Sequence, residues 1–116
     1  MLKKHLASYK YAVRGLWLAI RYEPNMIFHL IGTIAVLILN SVFDVSRIDW
    51  LITLALIGVV LMSEIFNTAI EKLANRITPD HDPMIGQAKD LAAGAVLIMG
   101  IAAVICAVVI YWPYLA

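Results

Sequence analysis

Charge is scarce in this chain, as is most of what a soluble domain needs. Of 116 residues, 15% are Asp, Glu, Lys or Arg, while 63% are hydrophobic, and the mean hydropathy is +0.88. A soluble fold of this size has too little interior to hide that much apolar surface. Nine basic residues almost balance eight acidic ones, and a net charge of +1 leaves no electrostatic footprint for nucleic acid. The single Cys106 excludes an intrachain disulfide, and its place inside an apolar run makes it a small hydrophobe. There is no G-x-x-x-x-G-K-[ST] loop, no protein-kinase loop set and no H-E-x-x-H, so the soluble phosphate-binding and zinc-protease signatures are missing as well.

What the chain does have is long apolar runs. Three spans stand out, at residues 26–42, 50–70 and 91–111, each close to the ~20 residues that cross a ~30 Å hydrocarbon core. Trp50 and the Tyr111-Trp112-Pro113-Tyr114 tail fit interfacial aromatic anchors. The fold class expected is an all-α membrane protein forming one domain over residues 1–116. Lys3, Lys4, Lys10, Arg14 and Arg21 precede the first span, and Lys72, Arg76 and Lys89 lie between the second and third. Arg47 alone falls in the short loop between the first two, so positive-inside bias puts the amino terminus in the cytoplasm and the carboxyl terminus outside.

The second span ends in a polar stripe. Glu64, Asn67, Thr68, Glu71 and Asn75 fall within a narrow arc of one helix face at about 100° per residue. A carboxylate at membrane depth costs roughly 2.5–3.5 kcal/mol on insertion scales, and such groups are mostly paired, bundle-facing and functional. Glu23, Asp80, Asp82, Asp90, His81 and Lys89 gather at the same membrane face. Carboxylates beside a lysine suit a hard divalent cation bridging phosphate oxygens.

The first 22 residues place Leu2, Leu6, Tyr9, Val13, Leu16, Trp17 and Ile20 on one stripe, with Lys3, Lys10, Arg14 and Arg21 on a separate flank. That is a basic amphipathic helix suited to the cytoplasmic interface, and Pro24 ends or redirects it. Residues 78–83 form a tight polar turn, after which Asp90 is expected to cap a helix beginning at Leu91.

Gly15-Leu16 followed by Glu23, then Glu64-x-x-Asn67-x-Ala69-Ile70-Glu71, then Ala88-Lys89-Asp90 and Ala92-Ala93-Gly94-Ala95-Val96, resembles the bacterial diacylglycerol kinase/undecaprenol kinase family over nearly the whole chain. The resemblance implies a homotrimeric kinase of the bacterial cytoplasmic membrane that transfers the γ-phosphoryl of ATP to a lipid alcohol, with Mg²⁺ as cofactor. It implies Mg²⁺ on Glu23 and Glu71, and Glu64 as general base with Asn67 orienting groups beside it. ATP contacts would come from Lys4, Tyr11, Glu23, Glu71, Lys89 and Asp90, with the Asp80-His81-Asp82 turn at the nucleoside. Lys4 stands where the diacylglycerol branch has an arginine, and so offers a point charge without the bidentate fork. Asn75 stands where some members have an aspartate.

His29 and Ala93 resemble the undecaprenol branch, since the diacylglycerol branch typically has glutamate and serine at these positions. The resemblance places both along the lipid path, although His29 has packing through a side-chain hydrogen bond as its other reading. Undecaprenol is therefore the expected substrate and diacylglycerol the alternative. A proton or cation transporter or channel subunit built around Glu64 is the competing class. Against it, the outer halves of the spans look nearly featureless, and a conducting path needs polar groups at several depths.

Overall fold

The computed structural model describes residues 1–116 and is wholly helical: α1 (Leu2–Tyr22), α2 (Pro24–Phe43), α3 (Arg47–Ile77) and α4 (Pro83–Leu115). Proline and short polar side chains set the boundaries. Glu23 is extended, with φ −103° and ψ 109°, as the residue before a proline prefers, and Pro24 opens α2 at a position where no N–H is missed. Asp44 stops α2 in the left-handed region at φ 49°, while Val45 N–H donates to the Asn40 carbonyl at 3.2 Å. Ser46 caps α3 by accepting from Asp49 N–H at 3.1 Å.

The last helix begins earlier than expected. Asp82, not Asp90, is its cap, accepting from the N–H groups of Met84 at 2.9 Å and Ile85 at 3.1 Å. Pro83 follows at the first helical position, and Asp90 lies two turns inside α4. Hydropathy reports where a helix becomes apolar, whereas the Asp-Pro pair reports where it starts.

α2, α3 and α4 are each long and apolar enough to cross a membrane. The expected spans lie inside them, but α3 has 31 residues and α4 has 33. At ~1.5 Å per residue these helices run to about 46 and 50 Å, well past a ~30 Å core. The overhang carries the last two turns of α3 and the first two of α4. They are antiparallel and form the main packing pair, with α2 beside α3 and α1 touching α2.

At the far end the structure corrects two expectations. Tyr111 is buried, not an interfacial anchor, and its hydroxyl donates to Asn40 Oδ1 at 2.6 Å. Asn40, 0% exposed, in turn donates through Nδ2 to Thr53 Oγ1 at 2.8 Å. The three side chains tie α2, α3 and α4 together, so this end is not featureless. Val45, Ile110 and Tyr111 form an apolar cluster there with Phe43 and Trp50 against it. Between this tie and His29, a crevice of about 210 Å³ separates the three helices, lined by Gly32, Val36, Ile57, Gly100, Ala103 and Cys106 among others.

The molecule measures 51 × 42 × 22 Å, with a radius of gyration of 17.3 Å, where a compact chain of this length would have about 13 Å. Only 12 of its 116 residues are buried, and Ala19 is the sole one on α1. The apolar stripe of α1 is uncovered from Leu2 to Ile20.

Candidate active site

The polar stripe of α3 divides by depth. Glu64, Asn67 and Thr68 are buried, whereas Glu71 and Asn75, one and two turns further toward the overhang, are exposed. Seven residues separate Glu64 from Glu71, or about 10 Å along the axis. The stripe therefore joins a sheltered carboxylate to one open to water-borne reactants.

Glu64 is 3% exposed and lies 3.2 Å through Oε2 from Nε2 of His29 on α2. The His29 carbonyl accepts from Thr33 Oγ1 at 2.8 Å. His29 thus takes the hydrogen-bonding role, and its ring also borders the crevice. Asn67 donates through Nδ2 to Glu71 Oε1 at 3.5 Å, while its buried Oδ1 has no partner. An unpartnered amide oxygen next to the carboxylates is a free acceptor for a hydroxyl or a bound water.

At the overhang, Glu23 sits 3.8 Å from Lys72 Nζ. Lys89 of α4 donates to Asn75 Oδ1 of α3, holding the lysine across the helix pair. Lys89 also borders a polar recess of about 280 Å³ with Asp80, His81, Asp82, Thr78 and Gly86. Thr78 Oγ1 accepts from Asp80 N–H at 3.2 Å, which shapes the recess wall.

The structure thus joins His29 to Glu64, Asn67 to Glu71, and Lys89 to the residue 80–82 turn. It brings no hydrogen-bond or ion-pair partner to the side chains of Lys4 and Tyr11 on α1, or to Asp90, and Ala93 lies exposed on α4. Sequence reasoning did not give Lys72 and Asn75 their pairings with Glu23 and Lys89. Lys72 and Asn75 carried a signal, since both lie on the turn of the stripe that meets Glu23 and Lys89, but which side chains meet depends on helices far apart in sequence.

Nearly the whole chain, residues 10–111, matches a family described as prokaryotic diacylglycerol kinase. An undecaprenol kinase of Bacillus subtilis (strain 168) is 39% identical over 114 residues, covering 98% of this chain and 93% of that one. A diacylglycerol kinase of Escherichia coli (strain K12) is 35% identical over 71 residues, covering 61% and 58% respectively. One from Synechocystis is 32% identical over 101 residues, covering 86% and 58%. With a family match over residues 10–111 and a relative 39% identical across 98% of this sequence, the chain belongs to the prokaryotic diacylglycerol kinase family of lipid kinases.

Proposed function

We propose that this chain phosphorylates undecaprenol, using ATP as donor, with Glu64 as the general base. The observation that carries the chemistry is Glu64 itself, a sheltered carboxylate one helical arm below an exposed carboxylate and a lysine-lined recess. The choice of lipid rests on the similarity to undecaprenol kinase across 98% of the chain, where the similarity to the E. coli diacylglycerol kinase spans 61%. Diacylglycerol remains the second reading, favoured by the family description.

In this reading the lipid hydroxyl gives its proton to Glu64 as its oxygen attacks the γ-phosphorus. The bond from that phosphorus to the β–γ bridging oxygen breaks, and ADP leaves. Lys89 supplies positive charge beside the transferring group, and the Asp80–Asp82 recess takes the nucleoside. Lys4, Tyr11 and Asp90 would close on the nucleotide from α1 and α4, and Ala93 would lie along the lipid path. Glu23 and Glu71 would hold Mg²⁺, which supplies charge neutralisation on the phosphates when bound. What supports the assignment is donor chemistry alone: both are carboxylates, and Mg²⁺ is commonly held by one or two carboxylates plus substrate phosphates, without a cluster of three protein ligands, of which this chain has none.

The assembly proposed is a homotrimer, with α1 in the cytoplasmic interface and the overhang inside the cell. Supporting it are the 12 buried residues of the single chain, the uncovered stripe of α1 and the eight basic residues at one end. The transporter alternative gains polar groups at a second depth from Asn40, Thr53 and Tyr111. Those groups bond to one another at 2.6 and 2.8 Å, as an interhelical tie does.

Purified protein in mixed micelles with γ-labelled ATP tests the reaction class. Label is expected in a lipid phosphate only when a lipid alcohol is supplied. ATP turnover indifferent to added lipid would contradict it.

A further inference from the structure

We propose that His29 is the positioning residue of the catalytic carboxylate, its Nε2–H holding one oxygen of Glu64 so that the other meets the lipid hydroxyl. The inference rests on Glu64 being the base and adds what aims it. Glu64 must be ionised to accept a proton, and an ionised carboxylate only accepts hydrogen bonds. At 3.2 Å, therefore, His29 Nε2 is the donor, which fixes the tautomer and leaves Nδ1 unprotonated in the neutral ring.

His29 is the one side chain hydrogen-bonded to Glu64. The amide of Asn67, one turn along, turns its Nδ2 to Glu71 instead. Glutamate has three side-chain torsions, and a base left free among them spends little time aimed at the reacting oxygen. A misplacement of 1 Å at a reacting group costs up to about 10²-fold in rate. The imidazole is itself well placed to serve as a fixed point. The ring sits 23% exposed at the rim of the crevice, where α2 faces α3, against a carboxylate that is 3% exposed. One carboxylate oxygen is thus committed to α2, which leaves the second for substrate.

A merely structural tie between α2 and α3 would show the same distance, so the test is a double-mutant cycle on turnover. Full-length protein in undecaprenol mixed micelles is compared as wild type, Glu64→Gln, His29→Phe, His29→Gln and the double variant Glu64→Gln/His29→Phe. His29→Phe is expected to lower kcat by about 10–100-fold, within the roughly 10²-fold that misplacing a reacting group costs, with KM for ATP unchanged. His29→Gln, which keeps an N–H at similar reach, should regain most of that loss. On the Glu64→Gln background His29→Phe should add little, because the base it aims is already gone.

Full kcat in His29→Phe, or losses that multiply in the double variant, would overturn the proposal. If His29→Phe does not fold, His29→Asn takes its place: its shorter amide keeps a polar group but falls short of Glu64, and the same outcomes decide. Wild-type turnover in Glu64→Gln alone would instead sink the assignment of Glu64 as base.

Discussion

Three of the proposed site residues are held by a partner on another helix or turn. Glu64 is buried against His29, Lys89 is held on Asn75, and Glu23 faces Lys72. Glu64→Gln removes the proton acceptor while keeping volume and polarity, and turnover should fall by about 10²–10⁴-fold with ATP affinity kept, as for a lost general base. Single-turnover phosphoryl transfer, with nucleotide binding measured separately, checks both halves. Glu23→Gln and Glu71→Gln should each raise the Mg²⁺ concentration needed for half-maximal rate; an unmoved Mg²⁺ profile in both removes the metal from these positions. Lys89→Ala should lower kcat/KM for ATP, and Lys89→Arg should restore it poorly because the planar fork differs in reach and shape. Full activity in Lys89→Ala would leave this lysine as a topology signal only.

What the sequence disclosed at this scale was the stripe, because Glu64 and Glu71 are seven residues apart on one helix and periodicity alone aligns them. The pairing of His29 with Glu64 was not legible, since it spans 35 residues and depends on how two helices pack. The difference bears on substrate choice. His29→Glu with Ala93→Ser should still move kcat/KM toward diacylglycerol, by about 10–200-fold. It should also lower absolute turnover, because the new carboxylate falls beside Glu64.

Among the elements, hydropathy located the three spans but not the helix ends, which obey capping chemistry. Asp82→Ala should lose the bonds to Met84 and Ile85 N–H and destabilise the start of α4 by about 0.5–2 kcal/mol. The recess beside it should loosen as well, so KM for ATP should rise more than kcat falls. The Asn40–Thr53–Tyr111 tie was hidden because its members lie 13 and 71 residues apart and Tyr111 alone fits an interfacial aromatic. Asn40→Ala removes both interhelical bonds while leaving Thr53 its bonds to the Asp49 and Trp50 carbonyls and Tyr111 a 3.5 Å approach to the Val36 carbonyl. Interhelical hydrogen bonds in membranes average about 0.6 kcal/mol with a maximum near 1.7. Unfolding in mixed micelles should show a loss of that order, with activity per folded molecule retained because the tie lies at the end away from Glu64. A stable Asn40→Ala protein with lost activity would put that end in the reaction path.

Taken whole, this is a thin sheet of helices that shelters little by itself. A chain with 12 buried residues and three membrane-length helices leaves most of its apolar surface uncovered, which lipid and, in the proposed trimer, further copies would cover. Composition alone announced the membrane, and the basic residues at one end announced a sidedness, but neither carries the contacts between copies. The proposed division of labour follows from helix length: α3 and α4 are longer than a ~30 Å core requires and carry charged groups on the excess, while Glu64 lies buried about 10 Å further along α3 from Glu71. The most direct measurement is competition between lipids. Purified protein is given labelled ATP with undecaprenol and diacylglycerol at equal mole fraction in one micelle, and the two phosphorylated products are separated and counted. Undecaprenyl phosphate should dominate, with both products falling together in Glu64→Gln; a dominant phosphatidic acid product would contradict the assignment and make this chain a diacylglycerol kinase in substrate as well as in family.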